Sequence, residues 1–282
     1  MFLMKIIACT VVKNEADIIK LTLLKALEWA DYIIVLDNKS TDGTNEIIIN
    51  LSLKEPRIIY WGVYGGAFRD SLRSIIFNDY KHLSNPGDWW CRLDADEIYI
   101  DNPKAFLANV NEDIDHIYSA SFQYYITESD IIDCNSKSFF HPDELKYYKC
   151  DWSEIRFYRV NNDTIWPLHF AEPLFLTKPS SQRIKLKHYQ YRTLEQMAKR
   201  FNDRSPQKGK NLFSHELHKN KVWDKNELKY DNGIYNYNER DLPKIKRRSF
   251  LNRLSVLFFK KIIIWCGLRR VFLPSEESVK RN

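Results

Sequence analysis

The chain has 282 residues and a formal net charge of +6, and 44% of its residues are hydrophobic. This composition provides enough apolar side chains for a buried core and excludes a disordered or fibrous chain. Its length suits one large α/β domain with appendages, or one domain with a small second one.

Up to residue 101 the sequence alternates between strand and helix patterns. Short apolar runs rich in β-branched residues predict buried strands, and capping or turn residues precede the segments with helical periodicity. The predicted strands are 5–12, 32–36, 57–61 and 89–93, and the predicted helices are 14–29, 45–53 and 69–83. This alternation predicts an α/β fold with a doubly wound, mostly parallel sheet flanked by helices.

After residue 101 the pattern loosens, and antiparallel strands are expected among the parallel ones. The strands predicted there are 117–125, 155–160, 173–176 and 184–188, followed by a helix at 193–202. The composition becomes polar at about residue 205 and basic and apolar from residue 244. We therefore assign residues 1–203 to one domain with halves 1–101 and 102–203, and residues 204–282 to a helical, basic C-terminal region.

An acidic triplet follows directly on the predicted strand at 89–93. Residues two apart in a strand point to the same side, so Asp94 and Asp96 are expected to converge at the carboxyl edge of the sheet, where open α/β folds bind ligands. Paired carboxylates suit a hard divalent cation that neutralises charge on a departing diphosphate. The alternative is a solvated acidic turn.

A second polar segment, residues 37–44, follows the predicted strand at 32–36. At that strand end, the carboxylate of Asp37 can accept hydrogen bonds from a nucleotide base or a ribose. The alternative is a capped turn in which Asp42 and Thr44 are turn formers. Both interpretations can hold together, with Asp37 binding a ligand and residues 40–44 forming the turn.

Three sequence blocks together resemble the family 2 glycosyltransferases of GT-A fold. They are Val-Val-Lys-Asn-Glu at 11–15, Ile-Val-Leu-Asp-Asn-Lys-Ser-Thr-Asp-Gly-Thr at 34–44, and Leu-Asp-Ala-Asp-Glu at 93–97. The last block is similar to the branch of that family whose metal motif reads Asp-Ala-Asp-Glu. The resemblance is strong over residues 5–101 and faint to about residue 200, and it implies a Rossmann-like GT-A catalytic domain.

The resemblance also implies roles for single residues in binding a nucleotide-sugar donor. Asp37 would bind the uracil or other base, and Asn14 and Glu15 would lie at the nucleotide-facing end of the first strand. Asp94 and Asp96 would hold the ribose and Mn²⁺ or Mg²⁺.

Arg69 lies where the family often has an Arg-Asn pair, and it would contact the donor. Here an aspartate, Asp70, follows it, so this sequence departs from the family pattern. The alternative is that Arg69 and Arg73 are exposed helix residues.

Family 2 enzymes usually invert the anomeric centre by direct displacement, which needs one carboxylate base near the sugar. Glu172 is the first candidate, because the segment His169–Glu172 resembles a His-Glu segment of the family, although two residues separate the pair here. Glu154 is the second candidate and Glu97 the third. The alternative for Glu172 is a surface carboxylate in a loop.

His188 ends a predicted strand and precedes a helix, at a place where related sequences often carry a His-Tyr pair. Its imidazole would complete the shell of the metal ion, since imidazole tolerates manganese. The alternative is a structural histidine, with Lys187 and Arg192 binding the diphosphate instead.

The tail is basic and apolar, with no acidic residue from 244 to 273. Lysines and arginines there alternate with phenylalanine, leucine and isoleucine, which is typical of a helix lying in a membrane interface. The alternatives are a helix packed on the catalytic domain and a nucleic-acid site. We expect no nucleic-acid partner, because such sites expose aromatic side chains in a groove.

Cellular location is predicted from cysteine usage and from the apolar segments. The 5 cysteines form no CxxC pair, which favours free thiols in a reducing compartment. The opening residues do not resemble a signal peptide, and no uncharged apolar run has the roughly 20 residues of a spanning helix. We expect a cytoplasmic protein, peripheral on the inner face of the cell membrane.

The sequence thus predicts a metal-dependent glycosyltransferase of cell-surface polysaccharide or lipopolysaccharide synthesis. Its donor would be a nucleoside-diphosphate sugar, with UDP-sugars favoured, and its acceptor a saccharide or lipid-linked saccharide. The alternatives are a non-catalytic, membrane-bound nucleotide-sugar binder and a metal-dependent nucleotidyltransferase or phosphohydrolase. The latter would use Asp94 and Asp96 for metal, but the sequence lacks a Gly/Arg-rich phosphate loop near its N-terminus.

Overall fold

A computed structural model describes residues 4–128, 130, 141–168, 170–204, 222–246 and 250–266. The strands are β1 (Ile6–Val12), β2 (Tyr32–Asp37), β3 (Ile58–Val63), β4 (Trp89–Arg92), β5 (Glu97–Tyr99), β6 (His116–Tyr124), β7 (Tyr147–Trp152), β8 (Ile155–Arg159), β9 (Ile184–His188) and β10 (Lys229–Tyr230). The α-helices are α1 (Ile19–Ala26), α2 (Thr44–Ser52), α3 (Leu72–Tyr80), α4 (Pro103–Ala108), α5 (Leu194–Arg204) and α6 (Phe250–Trp265). Short 3₁₀ turns occupy Lys81–Leu83, Pro142–Glu144 and Lys225–Glu227.

The strands form one sheet in the order β10-β7-β6-β8-β4-β1-β2-β3. The strands β4, β1, β2 and β3 are parallel, whereas β8, β6, β7 and β10 pair antiparallel with their neighbours. Strand β9 runs parallel to β6 and pairs antiparallel with β5. The predicted α/β fold class, a mostly parallel central sheet with flanking helices, is confirmed.

The parallel strands are apolar along their whole length because both of their faces are covered. In β1, Ile6 and Ala8 pack in the cluster that contains α1, and Ile7 and Cys9 pack in the cluster that contains α3. All seven residues of β1 are buried. This is the pattern expected of a strand between two helical layers.

Several predicted elements differ from the structure. Residues 173–176 form no strand, because Phe175 has a left-handed backbone with φ of 64°, which interrupts an extended conformation. The helices predicted from residues 14 and 69 begin later, at Ile19 and Leu72. Strand β4 ends at Arg92, so Asp94 and Asp96 lie in the turn before β5 and not in a strand, whereas Glu97 is the first residue of β5.

The C-terminal part is described only in two segments, 222–246 and 250–266. The first adds β10 to the sheet beside β7, and the second forms α6. The predicted helical, basic C-terminal region spans residues 204–282. Its parts at 205–221 and 267–282 lie outside the described residues. Within the described part of the chain, no helix has the length and apolar character needed to cross a membrane.

Candidate functional site

The loops that follow β1, β2 and β3 are joined by hydrogen bonds at the carboxyl edge of the sheet. Asn14 lies after β1, and its side-chain oxygen accepts a hydrogen bond from the Thr41 N–H at 2.8 Å. Asn38 lies after β2, and its amide donates to the backbone carbonyls of Tyr64 and Gly66, at 2.8 Å each. Asn14 also adopts a left-handed backbone with φ of 55°, which asparagine tolerates better than most residues. These contacts hold the three loops in fixed relative positions.

Asp37 ends β2 and is 1% exposed. One carboxylate oxygen, Oδ2, accepts a hydrogen bond from the Ser40 N–H at 3.0 Å. The other, Oδ1, is buried and has no hydrogen-bond partner among the described residues. Burial raises the pKa of this carboxyl above its ordinary value, and the hydrogen bonds from Ser40 act in the opposite direction. A buried acceptor without a donor requires an explanation, and a ligand with an N–H or O–H group supplies one.

Asp94 lies after β4 and is paired with two buried arginines. Its Oδ1 contacts the Arg73 guanidinium from α3, and its Oδ2 lies 3.1 Å from Nη1 of Arg156 in β8. Burial alone would raise the pKa of Asp94, but Arg156 and Arg73 outweigh it and hold the pKa well below its ordinary value. The interpretation of Arg73 as an exposed helix residue is wrong, because its side chain is only 1% exposed and contacts Asp94.

Asp96 has a different set of cationic partners. Its Oδ1 lies 3.2 Å from Nε2 of His188, and its Oδ2 lies 3.4 Å from Nη1 of Arg200 and 3.7 Å from Nη1 of Arg192. Burial opposes ionisation of both Asp96 and His188. The attraction between them outweighs it, so the pKa of Asp96 is lowered and that of His188 is raised. In this arrangement His188 is the ion-pair partner of Asp96.

Glu15 and Asp17 extend this group of charges. Arg192 is fully buried and contacts the Glu15 carboxylate, and its Nε lies 2.7 Å from Oδ2 of Asp17. Arg200 lies 3.5 Å from Glu15. Arg192, which the sequence offered as a diphosphate ligand, is therefore occupied by carboxylates. Lys187, offered for the same role, lies 3.1 Å from Asp231.

The three candidate bases lie in different environments. Glu97 is 1% exposed and contacts Arg156, and burial raises its pKa to about 7. Glu154 is paired with Arg92 at 3.1 Å and with Arg156 at 3.4 Å, and its side chain is 27% exposed.

Glu172 lies in the loop before the irregular segment at 173–176 and is half-buried. Burial raises its pKa, while the charges of Arg92 and His116 lower it. His169, with which the sequence pairs it, lies outside the described residues.

Arg69 is exposed in the loop after β3, and its Nη2 donates to the Tyr64 hydroxyl at 3.4 Å. The next residue, Asp70, lies 3.0 Å from Arg73 and 3.1 Å from Arg92. Where the family has an asparagine, this chain thus has a carboxylate that pairs with Arg73, itself a partner of Asp94, and with Arg92.

The charged groups at this edge nearly balance, because His188, whose pKa is raised, adds to the cations and burial raises the pKa of Glu97 to about 7. The acidic members are Glu15, Asp17, Asp70, Asp94, Asp96, Glu97 and Glu154, and the arginines are Arg73, Arg92, Arg156, Arg192 and Arg200. Carboxylate oxygens are the ligands that Mg²⁺ and Mn²⁺ prefer, so the carboxylates of this edge are the candidate cation ligands. Among the described residues no three potential ligands converge on one point, so Asp94 and Asp96 would exchange cationic partners to hold it.

Sequence patterns identified the carboxylates but missed most of the arginines that surround them. The sequence did contain a sign of these arginines, because Arg92 ends the apolar run of β4 and Arg156 lies within β8. A charged residue inside a buried strand is rare unless it is paired. A charged residue in such a strand therefore indicates that it has a buried partner, but does not identify the partner.

Comparisons with protein-family models and with curated proteins find no match for this chain. Among solved structures, 54 chains match. One is the mannosyltransferase PcManGT from Pyrobaculum calidifontis in complex with GDP-Man and Mn²⁺, which has 14% sequence identity and a TM-score of 0.35. The match covers 56% of this chain and 45% of that chain, so the chain spans less than half the length of the mannosyltransferase. A similarity of this extent carries no conclusion about activity.

Proposed function

We propose that the protein is a glycosyltransferase of GT-A type that takes a nucleoside-diphosphate sugar as donor and requires Mn²⁺ or Mg²⁺. The observation that carries the proposal is the arrangement at the carboxyl edge of the parallel strands. There the buried, unpartnered oxygen of Asp37 lies at the end of β2, and the carboxylates of Asp94 and Asp96 follow β4, two strands away. The three sequence blocks that resemble family 2 glycosyltransferases supply these same residues.

Each part of the donor has a candidate partner at this edge. Asp37 would accept a hydrogen bond from the base, with Asn14 and Glu15 beside it at the end of β1, and Arg69 would contact the donor from the exposed loop after β3. Asp94 would hold the ribose, and together with Asp96 and His188 it would hold the cation. When bound, that cation would neutralise charge on the departing diphosphate.

Transfer would proceed by direct displacement at the anomeric carbon. The acceptor oxygen forms the new bond to that carbon while the bond to the diphosphate breaks, and the diphosphate leaves with the electron pair. Glu172 would take the proton of the acceptor hydroxyl, because it is partly exposed and its pKa is raised by burial. Glu154 is the second candidate. Glu97 is the least suitable, since it is buried against Arg156.

We further propose that the acceptor is a saccharide or a lipid-linked saccharide at a membrane surface, as in cell-surface polysaccharide or lipopolysaccharide synthesis. Helix α6 supports this, since none of its described side chains at 251–265 is buried. Phe258 is 64% exposed, Phe259 is 59% exposed and Trp265 is 87% exposed. An exposed apolar helix with lysines and no acidic residue suits the inner face of an anionic membrane.

Thermal unfolding with a panel of nucleoside diphosphates tests the donor site. UDP, GDP, ADP and CDP would each be added with and without Mn²⁺. We expect at least one of them to raise the unfolding midpoint, and more so with Mn²⁺, because a ligand that binds only the folded chain stabilises it. Asp37→Asn should weaken this stabilisation, and Asp163→Asn, in an exposed loop, should not. If no nucleoside diphosphate shifts the midpoint, the proposed function is wrong.

Co-sedimentation with lipid vesicles tests the membrane surface. We expect the protein to pellet with vesicles containing phosphatidylglycerol, and the double variant Phe258→Ser/Phe259→Ser to stay in solution. Leu53→Ser is the control, since Leu53 is also exposed, at 79%, but lies outside α6. Equal sedimentation of the double variant and the control would contradict the role of α6.

A further inference from the structure

A groove lies between α4, β9 and the segment at 235–237, away from the acidic motif. Its volume is about 580 Å³, and it is a shallow depression, open to solvent. Lys104 in α4 lies 3.2 Å from Asp31, which precedes β2, whereas Asp37 ends β2. Lys104 is adjacent to the lining residue Ala105, so this side of the groove lies near the start of β2, and Asp37 lies at the other end of that strand. The groove is therefore separate from the proposed donor site.

The walls of the groove are aromatic. Phe106, Tyr235 and Tyr237 line it, and each is partly exposed. The Tyr235 ring is held in place, because its hydroxyl donates to Asp231 at 2.8 Å and its edge packs on Phe122 with centroids 5.4 Å apart. Partly exposed aromatic side chains suit flat, partly apolar ligands such as the faces of sugar rings.

The rim of the groove carries three side-chain amides, those of Asn102, Gln182 and Asn236. Asn102 uses its oxygen to cap α4, accepting from the Ala105 N–H at 3.1 Å, which leaves its NH₂ group for other partners. Within the described residues, the side-chain amides of Gln182 and Asn236 make no hydrogen bond, although the Gln182 backbone N–H donates to the Ser180 hydroxyl at 3.0 Å, and both residues are exposed. Each amide can donate and accept at once, and this is what a row of hydroxyl groups requires.

The positively charged side chains of the groove already have partners. Arg183 donates to Glu239 at 3.1 Å and to the Pro243 carbonyl at 2.7 Å. Lys185 lies 3.5 Å from Asp101. Neither cation is therefore available for a phosphate without loss of an existing partner. The groove favours a neutral ligand.

From these features we propose that the groove is a second saccharide-binding site, which holds a neutral oligosaccharide such as part of a growing acceptor. The neutral, hydroxyl-rich character of the ligand follows from the lining residues, and its identification as part of the acceptor rests on the proposed function. Because the groove is remote from Asp37, binding there would anchor a long acceptor without occupying the donor site.

Saturation-transfer NMR with neutral tetrasaccharides of glucose, galactose, mannose and N-acetylglucosamine tests this site on the full chain. We expect at least one of them to bind, and the double variant Gln182→Ala/Asn236→Ala to bind it about tenfold more weakly, since it removes two hydrogen-bonding side chains. Asn50→Ala is the matched control, because Asn50 is an exposed asparagine on α2. Absence of binding by all four sugars, or equal affinity in the double variant and the control, would overturn the proposal.

The same samples separate this proposal from the proposed function. Nucleoside diphosphate binding is measured on the native chain and on the double variant by the thermal midpoint. Saccharide binding that Gln182→Ala/Asn236→Ala weakens, without any nucleotide binding, would support the groove and refute the donor site. Nucleotide binding without saccharide binding would refute the groove alone.

Discussion

Asp94 and Asp96 are two residues apart, yet different parts of the chain hold them. The partners of Asp94 are Arg73 and Arg156, which come from α3 and β8 and are each 1% exposed. The partners of Asp96 are His188 at the end of β9, Arg192 just before α5, and Arg200 on α5. We call these two sets the Asp94 group and the Asp96 group.

The difference lies in the exposure of the cationic partners. The Asp94 group is part of the central sheet and the helix packed on it, so its geometry changes only if the core changes. In the Asp96 group, Arg200 is on α5, and its side chain is 13% exposed. At Asp96, a bound cation would replace Arg200, whereas the partners of Asp94 are buried arginines. This comparison leads to one prediction for each group, and a carboxylate outside both groups gives a third.

The largest effect is expected from Arg156→Met in the Asp94 group. This change leaves the carboxylates of Asp94 and Glu97 without their shared buried cation, and breaking a buried ion pair costs about 3 to 5 kcal/mol. Urea unfolding should show a loss of that size. Arg57→Met is the control, because Arg57 pairs with Glu55 at the surface and such a pair contributes about 0 to 1 kcal/mol. Equal losses in the two variants would show that the Asp94 group is not a buried network.

A smaller effect is expected at Asp231, a carboxylate outside both groups. Burial works against its ionisation, but hydrogen bonds from Tyr124, the Gly233 N–H and Tyr235 outweigh it and lower the pKa to about 2. Asp231→Asn should cost about 1 to 2 kcal/mol at neutral pH.

The pH dependence of that cost provides its test. The folded pKa of Asp231 lies below the unfolded value, so the carboxylate stabilises the fold fully above about pH 4 and progressively less as the pH falls towards 2. The difference in unfolding free energy between the native chain and Asp231→Asn should therefore shrink from pH 7 to pH 3. A constant difference would contradict the lowered pKa.

The smallest effect is expected from Arg200→Ala in the Asp96 group. Removing a cation 3.4 Å from Asp96 should strengthen Mn²⁺ binding about fivefold, or about 1 kcal/mol, because the ion no longer displaces a partner. Titration calorimetry of Mn²⁺ into the nucleotide-free protein measures this directly. Lys199→Ala on the same helix is the control, since Lys199 pairs with Asp42 at 3.6 Å. Unchanged or weaker Mn²⁺ binding in Arg200→Ala would mean that Arg200 does not compete for the site.

Much of the first half of the fold was predictable from local patterns. Strands β1, β2, β3 and β4 are short apolar runs, and each lies close to its predicted position. Strand β5 was missed because its three residues, Glu97–Tyr99, include the last member of the acidic motif and form a strand only by pairing with β9. Residues 173–176 have a strand-like composition, but they form none.

The site was predictable in its carboxylates and not in their partners. Asp37, Asp94 and Asp96 follow strands, so their meeting at one edge follows from the parallel sheet. The partners lie far along the chain, as in the contact of Arg156 with Glu97 and of Arg192 with Glu15. These pairs depend on the antiparallel half of the sheet, whose register no local pattern in the sequence specified.

The most direct test is the rate at which the protein releases nucleoside diphosphate from a panel of nucleotide sugars, measured for Asp96→Asn and for the control Asp163→Asn. Thermal unfolding would first verify that both variants are folded. The proposed function predicts that Asp163→Asn keeps the native kcat, and that Asp96→Asn loses about 10³-fold, the equivalent of about 4 kcal/mol of stabilisation by the cation. Native turnover by a folded Asp96→Asn would contradict the assignment of the acidic motif to catalysis.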